Sequence, residues 1–326
     1  MHTELIGKCD LLVENRKIIR ETMKWESDLM ALAGSSYYVG LGIEVDAGKL
    51  RKCHEILKDK AGILSDYRGN VKMPLICRMA VAEDPEKYFD AISTVVDAMK
   101  DLKWIDKEYK IMAAITIYDH TDGEDHRHVI EKMADLYKGM KEDHPWLTSG
   151  QDVPFAAMLA VSDVDTRALL RDMENCYQIL KEYFFDKNAV QSLSHVLAMD
   201  EGNTEAKCDK LKRIWDLLKE KKHKYGTGYE LAVLGSLCLL DIPAEEIVEE
   251  MIGADGYLKE HKGFGNLSLG KKSRLMYAGL MVMDAHIPPA SGDRDNMLAD
   301  MHAITMAAEI TMLLIVSSIV VISESN

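Results

Sequence analysis

The stretch Gly265-Asn-Leu-Ser-Leu-Gly270-Lys-Lys-Ser273 comes closest to a recognisable chemical device in this sequence. A phosphate-binding loop needs Gly, four residues, Gly, Lys and then at once Ser or Thr, because the lysine reaches the outer phosphates while the hydroxyl holds magnesium. Here Lys272 takes the hydroxyl's place and Ser273 follows one residue late. The segment ahead, IVEEMIGADGYLKEHKG, has a helical pattern where the device needs a buried strand. A loop with a helix cap is the better reading, Ser268 starting a helix through Leu275, Met276 and Leu280 while Gly263 and Gly265 turn the chain. Lys271, Lys272 and Arg274 then crowd the first turn, where cations oppose the helix dipole, so an anion or an acidic neighbour is expected beside them.

Three further groups have chemical potential. Gln191 and His195 are four apart and share a helix face, with Asn188 one turn below; Tyr229 and Glu230 occupy the matching place further along the chain. The loop DHTDGEDHRH, residues 119–128, offers His120, His126 and His128 with Asp119, Asp122 and Asp125, but its spacing matches no established ligand pattern, and a solvated loop is favoured. No metal and no cofactor is therefore expected. No nucleophile elbow, no H-E-x-x-H and no G-x-G-x-x-G after a strand occurs, so no catalytic motif is found.

The elements that would position these groups emerge from self-similarity. RMAVAED, AITIYDH, MLAVSDV, VLAMDEG, LCLLDIP and GLMVMDA align on Ala80, Thr116, Ala160, Ala198, Cys238 and Met281, with spacings of 36, 44, 38, 40 and 43 residues. A second register of charged tags, MKD, MKE and three times LKE, closes five of these units. Each unit reads as helix, short polar turn, helix. Leu169, Leu170, Met173, Cys176, Tyr177 and Leu180 form one apolar helical face, as do Leu211, Ile214, Leu217 and Leu218. Pro74 and Pro154 stand at matching first-turn positions, and no alternation of a strand is sustained.

Helical pairs of about forty residues cannot bury their apolar faces alone and must stack. The expected fold is all-α, an α-solenoid or superhelix of stacked helical hairpins (HEAT-like), in one domain over residues 1–326. Residues 1–60 supply a cap and a divergent unit, 61–285 the regular repeats and 286–326 a capping helix. A groove along the starts of the first helices, lined by Asn188, Gln191, His195, Tyr229, Glu230, Lys271, Lys272 and Arg274, is the expected ligand site.

Composition narrows the partners. The net charge of -14 argues against a general attraction to nucleic acid. The six cysteines form no C-x-x-C pair, and MHTELIGKCDLLVENRKIIRE lacks a signal-peptide core, so reduced thiols in the cytoplasm are expected. Residues 304–323 read ITMAAEITMLLIVSSIVVIS; with no Lys or Arg flanking them and a second-helix place in the sixth unit, a buried final helix is favoured over a membrane tail.

WESDLMALAGSSY, SDYRGNVKMPLICRMAVAEDPE, HPWLTSGQDVPFAAMLAVSD, NAVQSLSHVLAMDEG, GYELAVLGSLCLLD and KGFGNLSLGKKSRLMYAGLMV together resemble the bacterial domain-of-unknown-function family numbered four thousand and three. The likeness runs from about Trp25 to Met283. It implies a bacterial, intracellular protein and supplies no catalytic or binding residue to carry over. The functional expectation is a cytoplasmic helical-repeat protein engaging a protein or peptide partner. The alternatives are a small-molecule or anion-binding protein or enzyme using the same groove, and a membrane-associated protein held by its last helix.

Overall fold

Aspartate and asparagine side chains begin many of the helices. In the computed structural model, which describes residues 2–62, 65–121, 126–200 and 202–287, Asp46 accepts from Gly48 N and Lys49 N at 2.7 and 3.0 Å, and Asp84 accepts from Glu86 N and Lys87 N at 3.1 Å each. Asp186 and Asn203 do the same for Ala189 N and Ala206 N. Each cap satisfies amide donors that the helix itself cannot pair.

Among the described residues there are fourteen α-helices and no strand: α1 Thr3–Thr22, α2 Asp28–Gly40, α3 Ala47–Lys60, α4 Lys72–Val81, α5 Pro85–Ala98, α6 Lys107–His120, α7 Arg127–Asp143, α8 Val153–Val161, α9 Thr166–Leu180, α10 Lys187–Leu197, α11 Thr204–Glu220, α12 Glu230–Cys238, α13 Ala244–Lys259 and α14 Lys271–His286. The fold is all-α, and consecutive helices pack as a helical repeat. The even-numbered first helices α4, α8, α12 and α14 are buried nearly all round, whereas α5, α7, α9 and α11 bury one face. That division follows from the sequence: the first helices are runs of Ala, Leu, Met and Val, and the second helices are amphipathic.

The chain divides into two compact units. Of the described residues, one takes those up to 13, 39–43 and 167–287; the other takes 14–38 and 44–166. In the first, α10 packs on α12, α12 on α14 and α13 on α14. Gly235 permits the α10–α12 approach, since a Cβ there would lie 2.6 Å from Leu193 Cδ1. Residues near the chain start belong to this unit: Tyr257 on α13 donates its hydroxyl to Asp10 at 2.6 Å. In the second unit α3 packs on α4, α5 on α6, α7 on α8 and α6 on α8.

A repeated lysine ties the units' internal stacking to the sequence register. Lys132 and Lys210 stand at one place in the repeat, the same distance ahead of Ala160 and Cys238. Lys132 Nζ donates to Ser162 O at 2.5 Å, just past the end of α8. Lys210 Nζ donates to Leu240 O, just past the end of α12. A cation at a helix C-terminus meets the negative end of the dipole and unpaired carbonyls. Burial draws both ammonium groups below the usual lysine range.

Two expectations meet the structure differently. The helix expected from Ser268 begins instead at Lys271. Ser268, Leu269 and Gly270 all donate their N–H to Gly265 O, and Gly270 takes φ +83 at the cap, so the chain closes a turn before the helix can start. The hydrophobic helix expected over residues 304–323 lies outside the described residues. Within those residues no helix is long and apolar enough to cross a membrane.

Candidate functional site

The basic cluster of the near-miss phosphate loop resolves into one structural and two exposed side chains. Arg274 is 2% exposed. Its Nε and one terminal nitrogen donate to Asp255 Oδ1 and Oδ2 at 2.8 and 3.2 Å, and its other terminal nitrogen donates to Phe264 O and Asn266 Oδ1 at 3.0 and 2.9 Å. The acidic neighbour expected beside the first turn of α14 is thus Asp255 of α13, and a fork-on-carboxylate pair is the strongest common geometry for it. The guanidinium fastens the loop of residues 264–266 to the α13–α14 hairpin. Lys271 and Lys272 remain exposed at the start of α14, behind which stands α13 and no strand.

Glu230 is buried at the start of α12, its carboxylate folded back over the preceding loop, where it accepts from Gly228 N at 3.2 Å. Gly226 makes room for it: a Cβ there would lie 2.0 Å from the carboxylate carbon. Tyr229 is half-buried at the start of α12, with its hydroxyl pushed up by burial and by the Glu230 carboxylate and held back by the nearby Ser273 side chain at the start of α14. On α10, Gln191 and His195 are buried at 2% exposure each while Asn188 is exposed. The structure therefore brings Tyr229 to the start of α14, separates Asn188 from its buried helix neighbours, and commits Arg274 to Asp255.

A second polar network lies in the other unit; of its residues the sequence singles out only Asp119, as part of the loop of residues 119–128. Arg78 on α4, 5% exposed, donates Nε to Asp119 Oδ2 at 2.8 Å and lies 4.4 Å over the Tyr37 ring. Asp119 on α6 also accepts from the Tyr88 hydroxyl of α5 at 2.8 Å. Burial and the Asp119 carboxylate push the Tyr88 hydroxyl well above the usual tyrosine range. Tyr88 in turn packs edge-on to Tyr118 at 5.4 Å. These two tyrosines wall a cleft of about 650 Å³ with Lys52, Ala82, Glu83, Asp84, Pro85 and Lys87. Lys52 holds in its unit the repeat place of Lys132 and Lys210. The available signal was an arginine inside the otherwise apolar run of α4 and an acid at the end of α6.

Several of the loops that lead into a first helix carry exposed aromatics. In the second unit these are Trp25, Trp104 and Trp146, at 89%, 47% and 96% exposure. Trp104 stacks on Tyr137 of α7 with ring centroids 4.2 Å apart and an interplanar angle of 24°. The pair walls a cleft of about 390 Å³ with Ala134, Asp135, Lys138, Lys141 and Glu142. In the first unit the loop before α10 exposes Phe185 fully, and the loop before α14 exposes Leu267. Large exposed apolar groups rimmed by charge are the usual mark of an interaction surface.

Comparison with known proteins places the chain in a family. The family described as "Protein of unknown function (DUF4003)" matches residues 15–319. The "Uncharacterized protein YeaA" of Bacillus subtilis (strain 168) is similar, 23% identical over 232 residues, which covers 69% of this chain and 70% of the relative. No solved structure matches.

Proposed function

We propose, from the premise that the chain belongs to the DUF4003 family, that it is a cytoplasmic helical-repeat binding protein that takes a protein or peptide partner at the aromatic loops of its second unit. The observation that carries this reading is the exposure of Trp25, Trp104 and Trp146, each in a loop that leads into a helix of the second unit. Tryptophan left in water at the mouth of a cleft supplies large rigid contact area at little entropy cost, which is why it dominates binding hot spots. The Trp104–Tyr137 cleft has both charges on its rim, Lys138 and Lys141 beside Asp135 and Glu142, and suits an amphipathic segment. The cytoplasmic part of the reading is supported by six cysteines held as buried thiols.

The test is capture from a lysate of the source bacterium with the full chain as bait, run beside Trp104→Ala/Trp146→Ala. A partner recovered by the first and lost by the second supports the reading, provided the two baits melt at the same temperature. Equal recovery by both removes the aromatic loops from it.

A small-molecule site is favoured by a different observation, the cleft of about 650 Å³ above the Arg78–Asp119–Tyr88 network. Perturbed groups at the wall of a cleft are where ligand chemistry concentrates. A ligand there raises the melting temperature of the wild-type chain and not of Lys52→Ala/Lys87→Ala. The groove at the starts of α10, α12 and α14 stays in this second class, resting on exposed Asn188, Lys271 and Lys272.

A further inference from the structure

In the first unit, three side chains of metal-binding type meet from three different parts of the fold. His2 stands just ahead of α1, Glu250 lies on α13 and His286 is the last residue of α14. His2 Nε2 is 3.0 Å from Glu250 Oε1, and His286 Nε2 is 2.7 Å from Glu250 Oε2. One ligand atom from each lies within 4.8 Å of the other two. The imidazole rings stand nearly perpendicular, 78° apart with centroids at 5.6 Å, and each presents its Nε2 to one oxygen of the carboxylate between them.

We propose that His2, Glu250 and His286 bind a zinc-type divalent cation. The donor set decides the class: two imidazoles and one carboxylate suit zinc and its transition-metal neighbours, whereas magnesium and calcium take oxygen ligands almost exclusively. Three protein ligands leave a fourth tetrahedral position for water. Ligand atoms of a tetrahedral zinc site lie about 3.3 Å apart, given metal–ligand bonds of about 2.0–2.1 Å. The two imidazole–carboxylate separations are a few tenths of an ångström shorter and run to different oxygens, while all three ligand atoms lie within 4.8 Å of one another, so a cation replaces the two hydrogen bonds to Glu250 and the side chains shift to bring two ring nitrogens and one carboxylate oxygen onto it. His2 can supply that movement because it is exposed and precedes the helix. With Nε2 on the cation, the single proton of the neutral His2 ring moves to Nδ1, and the long 3.4 Å bond that Nδ1 accepts from Leu5 N is given up.

The consequence is structural as well as chemical. The cation would pin the start of α1 to the α13–α14 hairpin, beside the Tyr257–Asp10 bond that joins the same elements. Binding to the folded chain alone stabilises it by mass action.

The experiment is calorimetric titration of the full chain, free of any polyhistidine tag, with zinc chloride, beside His2→Ala, Glu250→Gln and His286→Ala. The expected result is one zinc per chain, and weakening in each variant by more than the roughly 10–100-fold that loss of a mere supporting group costs. Wild type is expected to gain melting temperature on adding zinc, and His2→Ala, whose exposed side chain lies ahead of α1, is expected to gain none. Zinc binding of equal strength in wild type and His2→Ala overturns the proposal, since the chain's eleven histidines then bind it elsewhere. So does the absence of a stoichiometric site in the wild type.

Discussion

Each unit buries an arginine against an aspartate, yet the two pairs do different things. Arg274 spends two nitrogens on Asp255 and a third on Phe264 O and Asn266 Oδ1, so the pair closes a loop and both partners are nearly sealed from water. Arg78 shares Asp119 with the Tyr88 hydroxyl, under a tyrosine-walled cleft, and Asp119 keeps about a fifth of its side-chain surface in water. A buried ion pair whose every oxygen is answered within the hairpin is architecture. One that shares its carboxylate with the wall of a cleft also shapes a surface on which a ligand can act.

The largest expected effect follows from that contrast. Arg274→Ala leaves the Asp255 carboxylate buried without its partner and is expected to cost about 3–5 kcal/mol in urea unfolding. Arg78→Ala leaves Asp119 with the Tyr88 hydroxyl and some water, and about 1–3 kcal/mol is expected. Equal costs would break the comparison. Next comes Gly226→Ala, whose methyl must expel the Glu230 carboxylate from its place over the loop; a loss of about 1–3 kcal/mol is expected.

A further effect depends on pH. Burial pushes the Asp152 carboxyl up to about 7, although its Oδ2 accepts from Ser149 N at 2.8 Å. The folded chain therefore holds a proton that the unfolded chain releases near pH 4, so this group's contribution is full below about pH 4 and is lost as pH rises towards 7. Asp152→Asn keeps an acceptor for Ser149 N and is expected to flatten the stability profile across that window. The smallest effect on stability belongs to the loops: Trp146→Ala is expected to change unfolding free energy by no more than about 0.5 kcal/mol, because a side chain 96% exposed has little to lose.

The sequence made the repeat visible because stacking imposes period and polarity on every unit. The run LCLLDIP and the tag LKE mark the α12 unit before any coordinates exist, and the all-α fold follows from such runs. Contacts across the stack were hidden. Nothing in the order of residues says that Arg274 meets Asp255 nineteen positions back, or that His286 and His2 flank Glu250. The start of α14 was missed by three residues because one positive φ at Gly270 outweighs the capping tendency of Ser268. Nor does residue type reveal that Trp146 faces water while Trp215 packs between Phe184 and Tyr225.

The claim that the aromatic loops of the second unit, rather than the basic start of α14 in the first, form the binding surface is tested most directly by affinity. A partner captured by the wild-type chain is titrated by calorimetry against Trp104→Ala/Trp146→Ala and against Lys271→Ala/Lys272→Ala. At least a tenfold loss is expected for the tryptophan variant, about 1.4 kcal/mol, with the lysine variant close to wild type. The reverse order, or no loss in the tryptophan variant, contradicts the account.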